Sequence, residues 1–363
     1  MVATIFFLIV STTIIFGLAG PIVRHQRIAT NLMLSRQSYF LSEAGIEDVV
    51  YRIKSGETVG TTELLSLSGN TATTITTDMS GGKVVSASSS VNSLVRKLRT
   101  QLLIGEGVTF HYGIQVGTGG FTLSNNAGVN GNVYANGDII GNNGSFITGD
   151  ALSVGSISGV SVGGSTQTGV ESQALPIADE QITGWKADAS LGGELGSQNL
   201  SGVNNVLGPK KIVGNLSLGN NAKLKMTGTL WVTGNLSLSN AAQIYLDPGY
   251  GASGGVIVVD GSASFSNGSD FLGSGVEGSY VMLVSTNTSG SAISLGNNAG
   301  AVILYAPYGT IQLSNNAEVE LISAKTISLS NNAVIDYHSG IIDTSFSSGP
   351  GGGYQVDSWK EVE

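Results

Sequence analysis

The side chains best suited to acid–base work in this chain are His25, His111 and His338, with Asp247, Asp260, Asp270, Asp336 and Asp343. Cleaving a glycosidic bond needs two carboxyl groups set across it, one as acid and one as base or nucleophile. These carboxylates stand singly with no paired motif, and His25 lies beside a long apolar run. No glycine-rich phosphate loop leads into a helix despite the abundant glycine. The sequence therefore predicts no catalytic residue and no enzyme. With no cysteine, it offers neither disulfides nor thiolate metal ligands, and neither metal nor cofactor is expected. A net charge of −9 without a basic stripe argues against nucleic acid as a partner.

The chemical group that recurs is the carboxamide. A five-residue motif appears at Leu123–Ala127, Leu218–Ala222, Leu238–Ala242, Phe265–Ser269, Leu295–Ala299, Leu313–Ala317 and Leu329–Ala333, mostly reading Leu-Ser/Gly-Asn-Asn-Ala. From Leu218 onward the copies follow at intervals of 16 to 30 residues, the shortest matching one coil of a parallel β-solenoid and the longest implying inserted loops. Each copy follows an alternating strand such as Thr326-Ile-Ser-Leu329, with apolar side chains inward and polar ones outward. Asparagine tolerates the left-handed backbone that a corner needs, and its amide can bond the equivalent amide of the next coil. Asn125, Asn126, Asn220, Asn221, Asn240, Asn297, Asn298, Asn315, Asn316, Asn331 and Asn332 are accordingly predicted as a structural corner ladder. The strict Asp/Gly nonapeptide of calcium-binding β-rolls is absent. Sequons at Asn143, Asn199, Asn215, Asn235, Asn267 and Asn287 match glycan acceptors formally, a weak signal in so polar a chain.

The N-terminus is a different material. Residues 1–23 carry no charge, and at 1.5 Å per residue Val2–Val23 would span about 33 Å, enough to cross a hydrocarbon core. The run continues without a polar break into an amphipathic pattern. Leu32, Tyr39, Ile46 and Ile53 recur every seven residues and are predicted to dock the helix on a folded head. Gly20-Pro21 predicts a kink or a locally melted stretch, and Ser55-Gly56 a C-terminal stop.

The segment Ser38-Tyr-Phe-Leu-Ser-Glu-Ala-Gly-Ile-Glu-Asp-Val-Val-Tyr-Arg-Ile53, with the apolar run before it, resembles the type IV pilin family, minor pilins above all. The likeness covers about the first sixth of the chain. It implies that Met1, Ile5, Phe6, Ile9, Ile14, Ile15, Gly17, Gly20 and Pro21 belong to a helix held in the inner membrane before assembly and packed into a filament core afterwards. The chain departs from the family in two places. No basic leader precedes Met1, which would then be the processed N-terminus, and Ile5 stands where most members carry glutamate.

These readings combine into an α+β chain. Residues 1–55 form the membrane and filament helix, 56–112 a small antiparallel β unit, and 113–345 a right-handed parallel β-helix. Residues 346–363 form a Gly-rich linker and a last strand. Pro176 and the acidic residues after it predict an inserted short helix near 176–189, covering an end or flank of the solenoid through Ile177, Ile182 and Trp185. Val95–Ile104 fits helix or strand, and Arg96, Lys97 and Arg99 read as a solvated face. Tyr245, Tyr250, Tyr305 and Tyr308 read as packing residues. The expected role is a filament subunit at the cell surface. Its partners would be identical or related pilin subunits, the inner membrane before assembly, and a surface or glycan touched by the β-helix. The alternatives are a membrane-anchored β-helical adhesin that does not polymerise and, third, a polysaccharide-acting enzyme.

Overall fold

The computed structural model describes residues 2–54, 59–79, 82–104, 114–288, 290–337 and 354–362. Met1, Ser55-Gly56, His111, His338, Asp343 and the Gly-rich 346–353 lie outside the described residues. Contacts divide the chain into two compact units, one of residues 1–52, 59–103 and 355–363 and one of 53–58 and 104–354.

In the first unit, helix α1 runs Val2–Lys54 without interruption. The melted stretch expected at Gly20-Pro21 is absent. Pro21 lies inside the helix, which carries on through it despite the amide donor that proline lacks. Strands β1 (Thr62–Leu67), β2 (Asn70–Met79), β3 (Gly82–Val91) and β4 (Leu94–Ile104) form an antiparallel meander. The C-terminal strand Tyr354–Val362 adds beside β4 and completes a five-stranded sheet. The segment that fits helix or strand by sequence is thus β4, and Arg96 pairs with Glu361 at 2.7 Å.

The second half of α1 docks through a stripe of small residues. Ser38, Ser42 and Gly45 are buried with Leu41, Ile46 and Val49. A Cβ on Gly45 would sit 2.8 Å from Thr74 Oγ1, so glycine is what lets helix and sheet approach. Ser38 Oγ donates to the Ser89 carbonyl at 2.9 Å, and Ser42 Oγ lies 3.0 Å from both Ser89 Oγ and the Arg96 carbonyl. This corrects the heptad reading. Ile46 and Ile53 are buried, but Leu32 is exposed and Tyr39 half-buried, because close packing selects the small polar stripe over the larger apolar one.

The second unit is a parallel β-solenoid with three strand faces. Its core is aliphatic, with Leu216, Leu224, Leu236, Ile244, Ile311 and Ile327 fully buried in one continuous cluster. The coils do not stack in chain order. One corner row reads Leu218, Leu238, Phe265, Leu295, Leu313, Leu329, Leu123 and Gly141 from coil to coil. The last coil in sequence, 318–336, therefore stacks on the first, 114–130, through Ile322–Ile114, Ile327–Phe121 and Val334–Gly128. The chain enters and leaves the solenoid at its waist.

A strap returns the chain along one face from Thr168 to Glu194. Tyr134 Oη donates to the Glu171 carbonyl, Gln115 Nε2 to Ala174 at 2.6 Å and Tyr305 Oη to Ile177 at 2.8 Å. Helix α2 (Asp179–Leu191) ends the strap, a few residues later than expected and on the flank. Ile182 and Trp185 pack there with Val256, Val258, Met282 and Val284. Gly255–Val259 and Val281–Ser285 are consequently buried at every position, as parallel strands covered on both sides must be.

Candidate functional site

Two surfaces carry the predicted site residues, and they behave differently. The first is the solenoid corner. Each Leu-Ser-Asn-Asn-Ala copy places two successive residues in the left-handed region, as at Asn315 (φ 53°) and Asn316 (φ 59°), and Ala317 N–H closes the turn on the Ser314 carbonyl at 3.2 Å. Apart from Asn220, which starts the row and only accepts, the first asparagine of each copy donates its Nδ2 to the Oδ1 of the preceding coil. The series runs Asn143 to Asn125 at 3.1 Å, Asn125 to Asn331 at 3.0 Å, Asn331 to Asn315 at 3.1 Å and Asn315 to Asn297 at 3.2 Å. It continues from Asn297 to Asn267 at 3.3 Å, Asn267 to Asn240 at 3.1 Å and Asn240 to Asn220 at 3.3 Å.

The second asparagines, Asn126, Asn221, Asn298, Asn316 and Asn332, stay out of this amide chain. They hold the second left-handed position, and their backbone N–H bonds the first-asparagine carbonyl of the next coil, as Asn316 does to Asn331 at 3.1 Å. The sequence missed Asn143 and Asn267 as rungs. Asn267 was visible within a repeat, but Gly268 replaces its second asparagine; Asn143 follows Asn142 where other copies have Ser or Gly. A further corner also went unread. Asn215 Oδ1 accepts from Asn235 N–H at 2.8 Å, and Asn235 Oδ1 from Ser262 N–H at 2.9 Å. On nearby corners the backbone N–H of Ser156 holds the Asp138 carboxyl below its usual range, and that of Ser165 does the same for Asp150.

The Ser, Thr and Asn side chains of this unit thus build corners. Asp260 is also tied inward: it meets Lys186 at 2.6 Å, Trp231 Nε1 at 2.9 Å and Thr286 Oγ1 at 2.8 Å, which fastens α2 to the solenoid. Tyr250 and Tyr305 are buried packing residues, and burial raises the pKa of both phenols. Asp270 is pushed up by burial and by nearby Glu318. Among the described residues, no three His, Asp or Glu side chains converge as a metal would require.

The second surface is the first half of α1. Ile5, Phe6, Ile9, Ile14 and Ile15 are exposed, Phe6 by 68% and Ile15 by 65%, and Gly20 has open space around it. Thr12 and Thr13 donate their hydroxyls to the carbonyls of Leu8 and Ile9 at 2.6 and 2.8 Å, so the helix exterior stays apolar. Its first turn holds no acidic residue. The helix is long and apolar enough to cross a membrane by length and composition. A bare apolar cylinder of this kind has two physical destinations, lipid or other apolar helices.

No protein-family profile matches the chain, and a search of curated proteins finds no match. Among solved structures, the chain aligns with the competence-associated pilin ComZ from Thermus thermophilus over 91% of its own length and 97% of that chain, at 11% identity and a TM-score of 0.23. It aligns with an ice-binding protein from the Antarctic ascomycete Antarctomyces psychrotrophicus over 63% of its length and 95% of that chain, at 15% identity and a TM-score of 0.26. Superpositions this loose assign no function. The N-terminal helix is long and apolar, and the solenoid is a parallel β-helix by its own strand register.

Proposed function

We propose that this chain is a structural subunit of a type IV pilus-like extracellular filament, held in the inner membrane before assembly and displaying its β-solenoid outward. The observation that supports this reading is the division of labour along α1. Its second half is docked on an antiparallel sheet, while its first half is apolar and exposed. Copies of this chain or related pilin subunits bury that surface in the filament. The solenoid serves as a scaffold that can present a surface to a glycan or solid, and it acts on no substrate.

Ile14→Asp tests the reading. A carboxylate in an apolar helix bundle costs several kcal/mol. Surface fibres seen by electron microscopy with the unaltered chain should disappear with the variant, while its solenoid keeps the same circular dichroism. Fibres that persist in Ile14→Asp would contradict the proposal. A chain that stays a membrane-bound monomer under fibre-forming conditions would favour a non-polymerising anchored adhesin.

A further inference from the structure

Helix α1 carries no acidic residue before Glu43, and Arg24 and Arg27 stand exposed on it. Nineteen residues beyond Arg24 comes Glu43, half-exposed, and twenty beyond Arg27 comes Glu47, exposed. Among the described residues, none of the four side chains makes a hydrogen bond or ion pair, unlike neighbouring Asp48, which pairs with Arg52 at 2.9 Å. One axial shift of about 29 Å brings both arginines level with both glutamates at once, at 1.5 Å per residue.

The direction also fits. At about 100° per residue, the Arg24/Arg27 pair and the Glu43/Glu47 pair point about 150° apart around the helix. Copies repeated along a filament touch through opposite faces of the same element, the heterologous arrangement that leaves an open chain of contacts. The glutamates lie on the side of α1 turned away from its own sheet, since that sheet covers Ser38, Ser42, Gly45 and Val49. The same shift gives two exposed apolar residues a destination. Phe40, 62% exposed, comes level with Gly20, and Leu32, 53% exposed, with Thr12, large side chains opposite small ones. Arg36 comes level with Phe16, whose ring face can take a guanidinium.

We propose that α1 packs in parallel against α1 of a second copy shifted by about 20 residues, about 30 Å, with Arg24 and Arg27 of one copy paired to Glu43 and Glu47 of the next. This contact rests on the filament reading above and specifies its register. The pairing makes the stagger specific, which apolar packing alone leaves free to slide.

The test uses full-length chain assembled into fibres. Arg27→Glu and Glu47→Arg should each lower fibre yield on the order of tenfold, and the double exchange R27E/E47R should restore it. Because the chain has no cysteine, R27C/E47C can be oxidised in assembled fibres without background. A ladder of covalent oligomers is expected from the double variant and monomer from each single one. If unaltered fibres form but the double exchange stays as poor as the single variants, or R27C/E47C fibres give no ladder, the register is wrong and the filament reading stands. If the unaltered chain forms no fibres, the filament reading falls and this contact falls with it.

Discussion

At the scale of single residues, the corner asparagines do two jobs that can be separated. Asn315 sits at φ 53°, donates to Asn297 and accepts from Asn331. Asn315→Gly keeps the backbone conformation and loses both amide bonds, a cost of about 1 kcal/mol for so exposed a pair. Asn315→Val loses the same bonds and also forces a β-branched side chain into the left-handed region, adding about 1–3 kcal/mol. Thermal unfolding followed by circular dichroism should rank unaltered chain above Asn315→Gly above Asn315→Val. Equal melting of the two variants would mean that the backbone conformation contributes nothing beyond the amides. The sequence made this role legible because asparagine at both corner positions matches the demand for left-handed residues. It did not reveal which asparagine bonds across coils, since that depends on side-chain direction and not on residue type.

At the scale of elements, α1 and the strands were legible from their periods, whereas docking was not. Helix periodicity marks apolar stripes, and the sheet chose Ser38, Ser42 and Gly45 because small residues admit a closer approach whose hydroxyls find acceptors. Helix α2 was visible as a break in the β pattern, but its fastening at Asp260 was not, because its partners Lys186, Trp231 and Thr286 lie far apart in sequence. The three hydrogen bonds from Lys186, Trp231 and Thr286 outweigh burial and hold the Asp260 carboxyl below its ordinary value. A depressed carboxyl stabilises the fold above its unfolded pKa of about 3.9, and the contribution disappears as pH falls through the lower folded value. Acid should therefore loosen α2 only below about pH 4. Asp260→Asn should cost about 1–3 kcal/mol at neutral pH and remove this part of the acid response. Hydrogen exchange at Ile182 to Ala189 measures both effects, and unchanged protection at pH 7 in the variant would show that apolar packing alone holds the helix.

At the scale of the whole molecule, the order of the coils is what the sequence could not show. Near-identical repeats stack on one another whichever comes first, so nothing in Leu313–Ala317 or Leu329–Ala333 says that the coil after 318–336 is 114–130. The two free ends of the stack, by contrast, can be read as deliberately poor edges. Thr166–Thr168 is short, polar and exposed, and Glu194–Leu200 shifts register between Gly196 and Gln198, both features that discourage further strands from adding. The waist junction makes a sharper claim. Two residues, Gly131 and Asn132, carry the chain from Asn130 to Val133 in the next coil, and Asp336 to Ile114 is the equivalent step across the junction. A permuted solenoid running 169–337, a short linker and then 114–168 would place every coil in sequence order while keeping α2 at its start. It should reach the same far-ultraviolet circular dichroism as the solenoid in the native chain. It should also refold faster, because the most distant strand pairings, 327 with 121 and 334 with 128, become local. A permutant that stays unfolded would contradict the waist stacking. One that folds at the native rate would mean that closing the junction is not what limits folding.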